Sequence, residues 1–233
     1  MRGKTATFGS RKNVVYSEEH WKLLERKREE AKKIMENLVR AGFRPILYGS
    51  VARGDVSPTS DIDIFVPQLC PSYLIELAVD YMDRRIVQAT PNYAIKGELI
   101  VDESITVSFP LVKMKDRELD FYRFGGCIGY DELLKGVRAA GVDKRLVLIL
   151  PNERGHEEVP INEMQPSEVA KILNVSIDIV EERMRVLERR REVGRTGVFL
   201  CVSVPPGESF ESVLRDIAKK KPAVRRQIVE RMG

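Results

Sequence analysis

Two aspartates one residue apart, Asp61 and Asp63, stand in the run Ser60-Asp61-Ile62-Asp63-Ile64-Phe65. Side chains on a strand alternate faces with period two, so this pair projects to one side while Ile62 and Ile64 turn the other way, towards a core. Carboxylates held so close repel each other unless a cation sits between them, and their hard oxygens suit Mg²⁺ or Mn²⁺. Just upstream, Gly49-Ser50-Val51-Ala52-Arg53-Gly54 reads as a strand turning sharply into a short helix. Glycine lets the backbone approach a ligand, the free N–H groups of a helix start favour phosphate, and the Ser50 hydroxyl adds a donor. Arg53 follows one helical turn later. Together these residue types set a cradle for a triphosphate beside a cation site.

A third carboxylate completes a site for two ions, one lowering the pKa of an attacking hydroxyl and the other neutralising the phosphates that leave. Asp120, in Glu118-Leu119-Asp120-Phe121-Tyr122, is the residue expected there, on a strand spanning 118–124 with apolar neighbours at Leu119 and Phe121. Glu98, Asp102, Asp116 and Glu118 are its rivals. The plainer reading of Asp120 is a surface carboxylate paired with Arg117 or Arg123. His156, in a polar loop, is left out as a base.

These residues need a scaffold. Ser17 can cap a helix whose first turn carries Glu18 and Glu19, and Trp21, Leu24, Ala31, Ile34, Met35 and Leu38 recur at helical spacing until Gly42 supplies the stop. Strands are expected over 43–48 and 61–66, then an amphipathic helix over 72–87 and strands over 94–101, 105–109 and 118–124. A helix over 131–140 and a strand over 145–150 follow, and 151–160 reads as a linker or exposed loop.

The combination Gly-Ser, Arg-Gly and Ser-Asp-Ile-Asp resembles the nucleotidyltransferase signature of the DNA polymerase β superfamily, which includes archaeal tRNA CCA-adding enzymes, poly(A) polymerases and minimal nucleotidyltransferases of toxin–antitoxin pairs. The resemblance covers roughly residues 43–124. It implies an α/β (α+β) nucleotidyltransferase fold, a mixed sheet flanked by helices. It also implies that Asp61, Asp63 and Asp120 hold Mg²⁺ or Mn²⁺ as the catalytic set, and that Gly49 and Ser50 contact an NTP. Arg53 matches the arginine of the motif. The reaction implied is transfer of a nucleoside monophosphate from an NTP to an acceptor hydroxyl of nucleic acid or protein, releasing pyrophosphate. A nucleotide-sensing or DNA-binding regulator, antitoxin-like, is the alternative, and modification of a small molecule is a third reading.

Beyond 160 the character changes. Residues 165–191 read as two helices about a short turn, and 194–204 as a strand able to form a wing. This spacing resembles a winged helix-turn-helix, so the expected division is 1–160 for the nucleotidyltransferase domain and 161–233 for a small helical domain. Its second helix carries Arg183, Arg185, Arg189, Arg190 and Arg191, with Arg195 beyond, a candidate nucleic-acid contact. Interleaved Glu181, Glu182, Glu188 and Glu192 equally suit a solvated face.

Composition sets outer bounds. The 39 basic and 35 acidic residues of this 233-residue chain leave a net charge of only +4, too mild to prove a nucleic-acid partner. Apolar residues reach 43%, enough for a core, yet no run approaches a membrane span. Residues 1–12 are basic without an apolar stretch, unlike a secretory signal, so a cytoplasmic location is expected. Cys70, Cys127 and Cys201 are widely spaced and odd in number, against both a zinc site and a disulfide framework.

Overall fold

The computed structural model describes residues 11–194 and 197–232. The first ten residues of the basic arm, Arg195, and the side chain of Arg191 lie outside the described residues. In chain order the elements are β1 (Lys12–Val15), α1 (Glu18–Arg40), β2 (Ile46–Tyr48), α2 (Ser50–Arg53), β3 (Ile62–Phe65), α3 (Ser72–Glu76), β4 (Asp83–Gln88), β5 (Lys96–Ile100), β6 (Ile105–Pro110), α4 (Asp116–Phe124) and β7 (Cys127–Gly129). There follow α5 (Tyr130–Leu134), β8 (Gly141–Val142), β9 (Val147–Asn152), β10 (Gly155–Pro160), a 3₁₀ turn Ile161–Glu163, α6 (Pro166–Leu173), α7 (Ile177–Val193), β11 (Leu200–Ser203), α8 (Phe210–Lys220) and α9 (Pro222–Met232).

Among the described residues, seven strands form the main sheet in the order β11-β4-β5-β6-β3-β2-β7. It is mixed: β3 runs parallel to β6, and every other pairing is antiparallel. Helices flank it, an α+β arrangement with a mixed sheet as the sequence resemblance implies. No described helix is long and apolar enough to cross a membrane.

Helix α1 is the main brace of this sheet. The Ser17 side chain accepts from the His20 N–H at its start, and Leu24, Lys27, Ala31, Met35 and Leu38 bury one stripe at spacings of three and four. That stripe joins Leu47, Ile62 and Ile64 in one apolar core. The opposite face of β3, bearing Asp63, is thereby left for chemistry. Two polar side chains of α1 reach further. Lys27 Nζ donates to the Ser60 carbonyl at 2.7 Å, and Arg28 donates to the Val51 and Ala52 carbonyls at 3.1 and 3.0 Å. One rigid helix therefore indexes both the start of the aspartate strand and the end of α2.

A second sheet, β1-β10-β9-β8, sits beside the first. The segment 151–160 is not a linker: β10 pairs with β9 from Gly155↔Asn152 to Pro160↔Val147 and with β1 on its other edge. His156 is buried in it, its Nδ1 2.7 Å from the Tyr16 hydroxyl. The polar look of this stretch has two sources: Asn152, Glu153 and Arg154 are exposed at the turn between β9 and β10, whereas His156 turns inward to its hydrogen bond.

Three further expectations are corrected. The helix expected over 72–87 is only the short α3, followed by strand β4. Ile86 and Gln88 of β4 are buried, whereas Leu77 is 81% exposed, so no continuous apolar helical face exists there. Residues 118–124 form helix α4, not a strand. Glu118 and Tyr122, four apart, are its buried face, and the Glu118 carboxylate accepts from the Lys115 N–H at 2.7 Å to seal its first turn.

The third correction concerns 161–233, which is not a separate winged domain. α6 and α7 do pack together about Asn174, whose left-handed φ of 50° closes α6. Val169, Ala170, Leu173, Ile179 and Val180 share a core with Leu148 and Val159 of the second sheet. The expected wing does not form: β11 pairs with β4 at the edge of the main sheet, Cys201 opposite Val87. Phe210, Leu214 and Ala218 of α8 and Val224 of α9 then enter the main core. The last part of the chain completes the first part's sheet.

Candidate active site

On β3, Asp63 lies between Tyr48 of β2 and Thr106 of β6, its register partners. Asp61 precedes the strand and is exposed. Burial pushes the Asp63 carboxyl up to about 6, and the charge of Asp61 adds to the rise. Lys144 pulls it down, Glu98 raises it, and Lys96 lowers it. The two aspartates are therefore brought together, and their repulsion is costly without a cation.

The Gly-Ser turn meets them. Gly49 has φ 81° and ψ −150°, a conformation that only glycine adopts without strain. A Cβ added there would lie 4.0 Å from Asp63 Oδ2, which is ordinary contact. The glycine is thus required by the backbone angle rather than by space, and the same figure places the Asp63 carboxylate against the turn. α2 begins at Ser50 and closes where the Gly54 N–H donates to the Ser50 carbonyl at 2.7 Å.

Arg53 is 5% exposed and its fork is already committed. Nε and Nη2 each donate at 2.9 Å to the two oxygens of Asp55, and Nη1 donates to the Gly125 carbonyl at 2.5 Å. The next carbonyl, Gly126, accepts from the Gly49 N–H at 2.9 Å. Arg53 therefore holds the loop that holds Gly49. It acts on the cradle from behind rather than from within it.

Asp120 is not brought to this cluster. On α4 it is two residues, or 200° of turn, from both Glu118 and Tyr122, whose side chains are buried. Its carboxylate accepts from Arg123 Nη1 at 3.1 Å and from the Ser176 N–H, just before α7, at 3.1 Å. Its partner is thus one of the two arginines of the plainer reading, and it also ties α4 to α7. Of the rivals, Asp102 accepts from the Ser104 N–H and hydroxyl in the turn before β6, and Asp116 opens α4. Glu118 is buried, accepting from the Ala94 N–H and pairing with Arg231 at 2.7 Å.

Glu98 is different. It stands on β5 opposite Ser108 of β6, and it acts on Asp63. Arg85 of β4, its register partner, pairs with it at 3.3 Å. Beside it on the same face is Lys96, which sequence reasoning missed. The Lys96 Nζ donates to the Tyr122 hydroxyl at 3.3 Å and lies 5.7 Å from that ring's centre. Tyr122 stacks on Phe65 at 4.0 Å and meets Tyr48 edge-on at 4.9 Å, forming an aromatic wall behind Asp63. The signal was present: Lys96 and Glu98 alternate with Gly97 and Leu99 as Asp61 and Asp63 alternate with Ile62. Among the described residues, no three His, Cys, Asp or Glu side chains converge as a ready ligand set.

The arginines of α7 are divided. Arg183 lies 5.0 Å over the Phe121 ring, and Glu182 pairs with Arg117 at 3.2 Å and accepts from the Tyr93 hydroxyl. These side chains fasten α7 to α4 and the loop before β5. Arg189 and Arg190 remain exposed.

Residues 28–109 match the family model described as the nucleotidyltransferase domain. No curated protein and no solved structure matches the chain. The matched segment runs from within α1 to β6 and contains Gly49, Ser50, Arg53, Asp61, Asp63, Lys96 and Glu98. It stops before Asp120. Residues 28–109 are thus similar to a nucleotidyltransferase domain, which supports a transferase.

Proposed function

We propose that the protein transfers a nucleoside monophosphate from an NTP to an acceptor hydroxyl in a reaction dependent on a divalent metal. The carrying observation is the approach of the Asp63 carboxylate to the Gly49 turn inside the matched domain, Oδ2 standing 4.0 Å from where a Cβ on Gly49 would lie. Asp61 and Asp63 fit a hard cation: they converge, one is half-buried, and burial with mutual repulsion holds its carboxyl at about 6. Such an ion, when bound, offsets phosphate charge and lowers the pKa of the acceptor hydroxyl.

The remaining work falls to the chain. Gly49 and Ser50 hold the phosphates through backbone N–H groups and the serine hydroxyl, with Arg53 fixing the turn from below. The acceptor oxygen bonds to the α-phosphorus while the bond from that phosphorus to the bridging oxygen of the β-phosphate breaks. Pyrophosphate leaves with the electron pair, and the hydroxyl proton passes to a carboxylate of the cluster. Asp120, held by Ser176 and Arg123, takes no part. An acceptor nucleic acid in the cytoplasm would meet Arg189 and Arg190 on the exposed face of α7.

A second reading, a nucleotide-sensing regulator, is favoured by one observation. β6, the strand beside Asp63, presents Thr106 and Ser108 rather than a carboxylate. The test is incubation with each α-labelled NTP, Mg²⁺ or Mn²⁺, and a panel of RNA, DNA and protein acceptors. Label should enter an acceptor and fall at least about a hundredfold in Asp61→Ala with Asp63→Ala, as for loss of groups acting on the transition state. Nucleotide binding without incorporation would select the sensing reading, and undiminished incorporation by the double variant would end the assignment.

A further inference from the structure

Helix α9 closes a cavity of about 310 Å³ against the loop before β5 and the residue that precedes α4. Its lining is polar, with Asn92, Lys115, Arg226, Gln227, Glu230 and Arg231 around it. The four residues from α9 recur at spacings of three and four, so one face of that helix is the cavity wall. The volume sits at the lower end of small-molecule sites, which run roughly 300–1,000 Å³.

Two buried networks fix the wall. Arg231 pairs with Glu118 at 2.7 Å and donates to the Asn92 carbonyl at 2.7 Å. Glu118 in turn accepts from the Ala94 and Lys115 N–H groups, each at 2.7 Å. Gln227 is 4% exposed; it donates to the Tyr93 carbonyl at 2.8 Å and accepts from Gln88 at 3.2 Å. Arg231 and Gln227 are therefore spent on the frame. Lys115 and Arg226 are not: both are exposed at the rim, and neither pairs with a carboxylate among the described residues.

The charge count favours an anion. Glu118 neutralises Arg231 from behind, and Lys115 and Arg226 outnumber Glu230 on the remaining lining. In sequence, exposed Lys113 and Arg225 add to that excess and Asp116 subtracts from it. Two unpaired cations at the mouth of a preformed polar cavity suit a ligand with several charged oxygens, because the wall is already ordered before it arrives.

We infer that this cavity is a binding site for a phosphate group, with Lys115 and Arg226 as its charged contacts. The phosphate belongs to a free nucleotide or to an oligonucleotide strand, and the cavity leaves room beside it for the sugar that carries it. No lining residue comes from the Gly49 turn or from β3, so the site is separate from the Asp61–Asp63 centre and does not depend on the transferase reading.

The full chain in EDTA, at constant ionic strength, is titrated with inorganic phosphate, with AMP and with a short RNA, and backbone amide shifts are followed by NMR. Saturating shifts should appear at Asn92, Lys115 and residues 223–231. Lys115→Gln with Arg226→Gln should weaken phosphate binding at least about tenfold, since two charge-assisted contacts are lost. Lys115→Arg with Arg226→Lys keeps both charges and should stay within about threefold of the wild type. Tighter binding of AMP than of RNA assigns the phosphate to a free nucleotide, and the reverse order assigns it to a strand. Should the glutamine variant not fold, the wild-type shift map alone decides. No shift at these residues with any of the three ligands, or undiminished affinity in the glutamine variant, overturns the site. Shifts confined to Gly49 and Ser50 also overturn it, while leaving the transferase reading standing.

Discussion

Replacing Asp63 with asparagine should make the metal-free protein more stable, even though it removes a residue at the centre of the site. Burial and the charge of Asp61 raise the folded-state carboxyl from 3.8 to about 6. At about 1.4 kcal/mol per pH unit, that rise sets a ceiling of about 3 kcal/mol on the penalty borne by the folded state. Water reaching a half-buried carboxylate reduces the expected gain to about 1–2 kcal/mol. In a chain of this size that corresponds to about 2–8 °C in Tm.

The sign follows from linkage. Between the unfolded and folded values the native state binds more protons, so wild-type stability is lost as pH rises through about 4 to 6. Above that window the penalty is complete. Asparagine does not titrate, so the difference between variant and wild type should open across this range and stay level from pH 7 to 8. Thermal and urea unfolding in EDTA at pH 4, 5, 6, 7 and 8 would measure it. Equal stabilities at pH 8, or a difference of the same size at pH 4 and pH 8, would refute the picture of two unrelieved carboxylates.

Other perturbations separate the residues that share the neighbourhood. Asp120→Asn should leave nucleotide and Mn²⁺ affinity within about twofold of wild type while costing about 1 kcal/mol, since it weakens a surface pair and a bond to the Ser176 N–H; a collapse of metal binding in titration would restore Asp120 to the site. Arg53→Lys cannot reproduce the bidentate fork to Asp55 and the bond to Gly125, so it should destabilise by about 2–4 kcal/mol in urea melts and weaken nucleotide binding through the Gly49 turn. Arg231→Met breaks the buried pair with Glu118 and should cost about 3 kcal/mol, with α9 amides exchanging first by hydrogen exchange.

The parts of the site legible in the sequence are those made locally. Ile46 to Phe65 is one strand, one turn, one short helix and a second strand, and period-two alternation alone puts Asp63 opposite Ile62 and Ile64. The misreading of Asp120 came from a short segment whose Leu119 and Phe121 alternate as in a strand. The competing period, Glu118 to Tyr122, is the one the sheet buries. Non-local pairing was invisible. β11 follows α7 closely enough to suggest a wing, but its partner β4 lies far back along the chain, inside the matched domain. The helix-turn-helix spacing of α6 and α7 is real, yet its apolar stripe serves the second sheet. Lys96 was overlooked because a lysine in a strand is ordinarily solvated, and only the packing of Tyr122 over it shows otherwise.

Diffraction from crystals soaked with Mn²⁺ and an α,β-methylene ATP analogue, recorded at the manganese edge, tests the assignment of the centre most directly. The expected map has an anomalous peak bridged by the carboxylates of Asp61 and Asp63, with the triphosphate lying along Gly49 and Ser50. Nucleotide seated elsewhere, or manganese bound at Asp120 with the β3 carboxylates bare, would contradict it.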